Sequence, residues 1–327
     1  MDEKVDILMA TYNTNIQFLK EQIDSILNQT YTNFSLYISD DNSKIEEVKK
    51  VLKEYANQDE RIKLFLQEKN LGYIKNFEFL LKQSTADYIM YSDHDDIWYK
   101  EKVEKSLKKL KEANVDLVYC NSTQIDEKGT VIQKDYFKYK SVPIVDGKSK
   151  LAISRCVGIG CSQIFTKNVK EKMLPFTDEV MAHDWLAAFI ANENKGLTYL
   201  QEPLFGYRLH NANVFGGRNL SQNLARWHEE YGNSYKSYLK YREENVIKKA
   251  YLDGAIMCRQ YAKNDETIAF LDTLIAYYEN LLKSKYFNYH FIKFFKFLSG
   301  KNLAKKMLKE FVIFHLPALG YFRFRRN

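Results

Sequence analysis

The chain has 327 residues, a formal net charge of +7, and 45% hydrophobic and 15% aromatic residues, enough to bury a full core as one large domain with an appendage or as two modest domains. The charge is uneven: residues 283–327 hold 11 Lys or Arg against one acid, Glu310, while the preceding 282 residues hold 38 basic and 41 acidic ones, an asymmetry that suits a polyanionic surface, either nucleic acid or anionic lipid. Cys120, Cys156, Cys161 and Cys258 lack Cys-x-x-Cys spacing and read as reduced core thiols of a cytosolic protein; acids ahead of the first strand and the lack of an apolar window of about 18 residues argue against a secretory signal and a spanning helix.

In chain order, residues 5–10 predict a first strand, and Asn15 or Thr14 caps a helix through about residue 28 whose inward stripe is Phe18, Leu19, Gln22, Ile23 and Ile26. A strand over 34–38 ends in the polar run Ser39, Asp40, Asp41, Asn42, Ser43; a helix over 45–55 and a strand over 62–66 follow. Repeated strand, polar loop and helix, with acids gathering on one edge, predicts an open, mostly parallel α/β sheet that binds its ligand at the carboxyl ends of the strands. Gly72, in the loop Lys69-Asn70-Leu71-Gly72-Tyr73, suits a turn or a close backbone approach, Asn70 and Asn76 suit loop geometry, and residues 76–81 continue as helix. Neither GxGxxG nor GxxxxGK[ST] occurs, so the phosphate cradles of dinucleotide-binding and P-loop proteins are missing.

The next strand, residues 88–91, runs directly into Asp93, His94, Asp95 and Asp96. Carboxylates this close repel unless a cation joins them, and oxygen ligands with one imidazole suit Mg²⁺ or Mn²⁺. The residues also admit a plainer reading, in which Asp95 or Asp96 caps a helix starting near Tyr99. Ile97 and Trp98, an apolar pair after the acids, are expected to pin the loop to the core.

Four stretches in order, VDILMATYN (5–13), LYISDDNS (36–43), NLGYIKNF (70–77) and YSDHDDIW (91–98), resemble the family 2 glycosyltransferases, whose nucleotide-sugar-binding domain has the fold called GT-A. The resemblance covers approximately residues 4–216. It implies that Tyr12 and Asp41 contact the pyrimidine, that Asp93 and Asp95 form the DxD element, and that Asp95 coordinates Mn²⁺ or Mg²⁺ on the diphosphate. Thr11, Asp40, Asn70, Gly72 and Asn76 fall in the same donor-binding stretches, and Ala10 stands where many relatives place a small hydroxyl residue.

Further on, residues 100–113 predict a helix, 115–119 a strand, and 121–140 a polar, irregular stretch with a hairpin turn at 126–129. Residues 154–165 carry Gly158 and Gly160 in a β-rich run, either a glycine-broken strand or an acceptor-side surface. In Ala182-His183-Asp184-Trp185, Asp184 either caps a helix starting near Trp185 or serves as a base; the resemblance implies the general base of an inverting displacement, with Trp185 packing near the acceptor. Arg208, His210 and Asn213 fall in one polar loop, where cationic or imidazole groups suit the departing diphosphate or the metal shell. The form YRxHxxN resembles that of rhamnosyltransferases and allied polysaccharide-assembly enzymes, which implies dTDP-L-rhamnose as first-choice donor. UDP-glucose or UDP-galactose is the alternative, and a non-catalytic sugar-binding relative or a metal-dependent phosphohydrolase are the rival classes.

The expected organisation is a catalytic domain over 1–217, a helical extension over 218–282 that caps it or forms a homodimer surface, and a basic aromatic tail over 283–327. Leu224, Trp227, Tyr231, Tyr235 and Tyr238, then Ile268, Leu271, Leu274, Ile275 and Tyr278, supply the helical recurrences. In the tail, Phe287, Phe291, Phe294, Phe295 and Leu298 beside Lys293 and Lys296 favour an interfacial membrane helix over nucleic-acid binding. The expected place is peripheral, on the cytoplasmic face of the cell membrane, with a glycan or lipid-linked glycan as acceptor.

Overall fold

The computed structural model describes residues 3–140, 142, 144–210, 240, 243–244 and 251–283. The chain forms two compact units, Met1–Ala152 with Cys156–His210, and Ile153–Arg155 with Asn211–Asn327. The expected boundary at 217 lies outside the described residues, as do Asn213 and the tail from 284 onward, while the one expected after 282 falls one residue before the end of a helix that runs to Lys283.

The first unit begins with four strands of one direction. β1 (Val5–Thr11) lies between β2 (Phe34–Asp40) and β4 (Tyr88–Ser92), with β3 (Ile62–Leu66) outside β2. β1 and β2 show no hydrophobic alternation because helices cover both faces of a parallel sheet, and six of seven β1 residues and all of β2 are buried. The connecting helices are α1 (Ile16–Leu27), α2 (Glu46–Gln58) and α3 (Tyr73–Gln83). Asn15 caps α1 by accepting from Gln17 N and Phe18 N, and the five expected inward residues of α1 are its buried ones.

The second half adds β5 (Ile97–Trp98), α4 (Lys102–Ala113), β6 (Leu117–Ile125), β7 (Val131–Gln133), α5 (Tyr136–Lys140), α6 (Lys150–Ser154), a 3₁₀ turn (Gly160–Ser162), β8 (Gln163–Thr166), α7 (Lys167–Met173), α8 (His183–Glu193) and β9 (Leu197–Arg208). The sheet order is β3-β2-β1-β4-β8-β6-β9-β5, with β7 beside β6. β8 enters antiparallel between β4 and β6, so β6 and β9 recover the direction of β1, and only β5, β7 and β8 oppose it. The mostly parallel expectation holds. The exits of β1, β2, β4, β6 and β9 therefore open on one edge.

Local boundaries differ from the sequence reading for identifiable reasons. β6 continues through Asn121, Ser122, Thr123 and Gln124, polar residues that read as irregular chain, because β9 pairs with the strand throughout. Asn121 Oδ1 accepts from Ser122 N and Phe137 N, its amide donates to Asp135, and the Thr123 hydroxyl meets Tyr99 Oη, so Asn121 and Thr123 are satisfied while buried. The turn at 126–129 forms as expected, with Gly129 N donating to Asp126 O. Residues 154–165 are not one strand: the stretch is loop and 3₁₀ turn until Gln163.

Of the second unit, α9 (Asp253–Tyr261) and α10 (Asp265–Lys283) are described. Leu271, Leu274 and Tyr278 face inward as expected, and Phe270 and Tyr277 widen the buried face. Leu224, Trp227, Tyr231, Tyr235 and Tyr238 lie outside the described residues. Among the described residues no helix is long and apolar enough to cross a membrane, and no disulfide joins any of the four cysteines.

Asp6, fully buried in β1, ties the start of the sheet to the loop ahead of β4: its Oδ2 accepts from Ser84 Oγ at 2.9 Å, Thr85 N at 2.8 Å and Ala86 N at 2.9 Å. Asp6→Ala strands three donors and should cost about 2–4 kcal/mol in urea unfolding followed by circular dichroism; a loss below about 0.5 kcal/mol would mean that water replaces the carboxylate.

Candidate active site

At the exits of β1 and β2, most of the polar residues hold one another. Asp40 accepts from Thr11 Oγ1 at 3.0 Å and from Ser43 N at 2.9 Å, and both Thr11 and Asp40 are buried. Asp41 is 3% exposed, and its two oxygens accept from Leu71 N at 2.6 Å and Gly72 N at 2.9 Å. Asn70 donates to Asp41 O, and the buried Asn76 bonds Ser39. Gly72 holds φ 78°, a left-handed value that puts the chain into the cap position of α3. Asp41, expected as a base contact, anchors loop 70–72 through one backbone N–H on each of its oxygens, and Thr11, Asp40 and Asn76 stabilise the edge from inside. Tyr12, at 44% exposure, is the aromatic surface left open here.

The exit of β4 carries the acids. β5 pairs with β9 through Ile97↔Gly206 and Trp98↔Phe205, so the apolar pair pins the loop as expected. Asp95 and Asp96 do not cap α4, which starts at Lys102 after Glu101, since β5 intervenes. Asp95 Oδ2 lies 2.8 Å from His210 Nε2, and His94 Nδ1 lies 3.1 Å from Ala10 O. Burial raises the Asp95 pKa, but His94, the His210 hydrogen bond and Arg208 together outweigh it and hold the carboxyl below its ordinary range. Asp93 behaves oppositely: burial first, then Asp95, push it up to about 6. Asp93, Asp96 and Cys161 bring one ligand atom each within 4.8 Å of one another. Asp96 was read with these acids, but Cys161 was read only as a core thiol and Lys102 was missed; Lys102 is fully buried beneath them, and its Nζ donates to Cys161 O at 2.5 Å and sits 3.4 Å from the Trp98 ring centroid. Burial lowers Lys102 to about 8.

Hard carboxylate oxygens with a single imidazole are the donor set that Mn²⁺ or Mg²⁺ accepts, so the residues present fit such an ion. The grouping differs in detail from expectation: Asp95 pairs with His210, whereas Asp93 turns toward Asp96 and Cys161. Arg208 is a clear correction. It is the last residue of β9 rather than a loop residue, is fully buried, and its guanidinium donates to Asp95 O, Glu127 O and Glu21, so it cannot reach a diphosphate.

The third group surrounds α8. The helix starts at His183, with Ala182 as its cap, so Asp184 lies inside the first turn and is not the N-cap. Its Oδ1 accepts from Trp185 N at 2.9 Å, and its backbone carbonyl accepts from Gln163 Nε2 at 3.1 Å, which ties α8 to β8. A Cβ on Gly160 would stand 3.2 Å from His183 Nε2 and 3.9 Å from Asp184 Oδ2, so glycine leaves the side of this carboxylate open. Gly158 instead holds φ 77° against the Tyr119 ring. Trp185 packs into the core at 3% exposure and presents no acceptor surface. His183 stacks on Phe77 at 4.0 Å between centroids and meets Tyr91 edge-on at 4.6 Å; burial lowers its pKa and keeps the ring neutral. Tyr73, unmarked in the sequence, is 46% exposed beside this stack and donates to Met181 O.

The sheet and its loaded edge have the architecture of a GT-A glycosyltransferase. Residues 6–174 match the family Glycosyl transferase family 2, and the chain belongs to that family and is a glycosyltransferase. It is 28% identical over 228 residues to an uncharacterized glycosyltransferase of Methanocaldococcus jannaschii, covering 68% of this chain and 77% of the relative. It is 26% identical to the putative teichuronic acid biosynthesis glycosyltransferase TuaG of Bacillus subtilis, covering 80% and 95%, and 27% identical to the dTDP-rhamnosyl transferase RfbG of Shigella flexneri, covering 64% and 73%. Of three longer Rickettsia glycosyltransferases it spans about a fifth of the length. Among solved structures, S. aureus TarS 1-349 in complex with UDP aligns with TM-score 0.54 at 16% identity, over 94% of this chain and 80% of that one. The mannosyltransferase PcManGT of Pyrobaculum calidifontis, in complex with GDP-Man and Mn²⁺, aligns with TM-score 0.53 at 13% identity, over 99% and 85%. Both share the fold.

The raised Asp93 pKa has a measurable sign. A carboxyl lifted from 3.8 to about 6 favours the folded state below pH 3.8 and loses that contribution as pH rises through 6. In excess chelator, Asp93→Asn should match the wild type near pH 4 and exceed it at pH 7.5 by about 3 kcal/mol in urea unfolding. A wild type as stable as the variant at pH 7.5 would contradict the shift.

Proposed function

We propose that this glycosyltransferase inverts the anomeric centre of a nucleotide-activated sugar, with Asp184 as general base and Asp95, His210 and Asp93 as the residues that hold Mn²⁺ or Mg²⁺. The observation that carries the reading is the short turn between the two groups: Gly160 lies beside the Asp184 carboxylate, and the next residue, Cys161, lies with Asp93 and Asp96. Tyr12 offers its exposed ring to the nucleotide base, while Asp41, Asn70 and Gly72 shape the neighbouring backbone. A bound divalent ion would supply Lewis-acid stabilisation of the diphosphate. Asp184 accepts the proton of the acceptor hydroxyl as that oxygen bonds to the anomeric carbon from the face opposite the diphosphate; the bond from that carbon to the diphosphate oxygen breaks, and the nucleoside diphosphate leaves with the electron pair. Gly160 and the exposed Tyr73 border the acceptor's approach.

The first-choice donor is dTDP-L-rhamnose, supported by the YRLHNAN segment and the likeness to the Shigella dTDP-rhamnosyl transferase. The likeness to TuaG supports a glycan or lipid-linked glycan acceptor in cell-surface polysaccharide synthesis. UDP-glucose or UDP-galactose is the second reading, favoured by the fold shared with a UDP-binding enzyme. Nucleotide release from a panel of dTDP-, UDP- and GDP-sugars separates them. Asp95→Asn should cut turnover by about a hundredfold or more and remove dependence on added metal; full activity in chelator would refute the metal role. Asp184→Asn should keep donor binding in calorimetry and lose transfer; normal transfer would refute the base.

The tail, outside the described residues, is assigned to an anionic membrane surface on its composition, which supports a peripheral site on the cytoplasmic face. A few buried aromatic side chains contribute several kcal/mol at roughly 25 cal/mol per Å², and each Lys or Arg near the surface about 1 kcal/mol. Protein ending at Leu282 should no longer sediment with phosphatidylserine-containing liposomes, whereas the full chain should sediment at low salt and less at high salt. Equal sedimentation of both would refute attachment through residues 283–327.

A further inference from the structure

Arg208 is a guanidinium without access to solvent or substrate, at the centre of the acidic edge. Its face lies over the Phe18 ring, 4.4 Å from the centroid, and Nη2 meets Glu21 Oε2. Phe18 and Glu21 are three apart on α1, the spacing that puts two side chains on one helix face, so α1 presents a ring and a counter-charge together. The remaining donors reach two loops: Nε donates to Asp95 O at 2.7 Å, Nη1 to Glu127 O at 3.0 Å, and the backbone N–H to Asp96 Oδ1 at 3.0 Å. The chain stays paired beyond β9, with Leu209 N donating to Ile125 O, so residues 208 and 210 face the same side. His210 accordingly rests on the same Phe18 ring, 5.4 Å between centroids, and its Nε2 holds the Asp95 carboxylate at 2.8 Å.

We propose that Arg208, seated on Phe18 and Glu21, is a positioning residue that sets Asp95 and His210 in the geometry a divalent cation requires. The inference rests on the reading of Asp95 and His210 as metal-holding residues. Arg208 fixes the Asp95 backbone while His210 fixes its carboxylate, so the ligand oxygen has one orientation before any ion arrives. Glu21 acts at one remove, by keeping the buried guanidinium paired and its fork aimed at the two carbonyls. Side chains that orient a metal ligand in this way typically contribute 10–100-fold to metal affinity.

The test is Mn²⁺ affinity, read from free Mn²⁺ by electron paramagnetic resonance with the ion alone and well below the unfolding temperature, alongside thermal unfolding. Arg208→Met should bind Mn²⁺ at least tenfold more weakly, Glu21→Gln several-fold more weakly, and the double variant no more weakly than Arg208→Met, because both act through one contact set. Affinity within twofold of wild type in both single variants overturns the inference, whatever their unfolding temperatures, since a purely structural role lowers stability and leaves affinity intact. Should Arg208→Met fail to fold, Glu21→Gln, whose side chain is 32% exposed, decides alone: unchanged affinity overturns the inference, and weakened affinity at wild-type unfolding temperature supports it. Asp95→Asn separates the two readings. Weak binding by Asp95→Asn with normal binding by Arg208→Met and Glu21→Gln sinks this inference only, whereas no Mn²⁺ binding by the wild type sinks the metal reading and this inference together.

Discussion

The structure depends on keeping Asp93, Asp95 and Asp96 together at the exit of one strand. Two unit charges 4 Å apart interact by about 4 kcal/mol at an effective dielectric of 20, so an unsupported loop of this kind would swing outward. The fold opposes that from below and from the side. Lys102 lies under the loop against Trp98 and Phe205, and its pKa of about 8 records how much burial opposes its charge even with acids nearby. Arg208 reaches in laterally: its guanidinium donates to the Asp95 and Glu127 carbonyls and its backbone N–H to the Asp96 carboxylate. The chain beneath the acids is thus fixed.

The insertion of β8 explains how residues so far apart in the chain meet. Antiparallel to both β4 and β6, β8 follows directly from the 3₁₀ turn that carries Gly160 and Cys161, and it leads into α7. One reversed strand therefore delivers Gly160 and Cys161 to the exit of β4. Gln163, at the start of the same strand, holds the Asp184 carbonyl. Four residues of sheet thus connect α8 with the acidic loop.

What the sequence disclosed follows from where local signals dominate. The apolar run of β3 and the Asn15 cap of α1 are complete within a few residues, and both are legible. β6 was only half legible because burial of Asn121–Gln124 depends on β9, about eighty residues later, and on Asp135. Asp184 looked like a helix cap since the type and position fit, yet Ala182 takes that place without a side-chain bond. Arg208 and His210 were visible as a pair but not in their separate places, one fully buried at the end of β9, the other paired with the Asp95 carboxylate. Glu21 carried no signal at all; a glutamate on the polar face of a helix becomes specific only when a guanidinium arrives from 187 residues away.

The late position of β9 has a consequence for assembly order. Strands β1 to β4 pair with near neighbours and can form a sheet as soon as residue 92 is available, but Asp95 gains its carbonyl partner and its imidazole from Arg208 and His210. During synthesis the acidic loop therefore emerges more than a hundred residues before the cation that orders it. Long-range closure of this kind is slow compared with local pairing. A nascent chain will hold a formed half-sheet with an open, mutually repelling edge, and the last strand of the unit is at once the final element of folding and the step that completes the site.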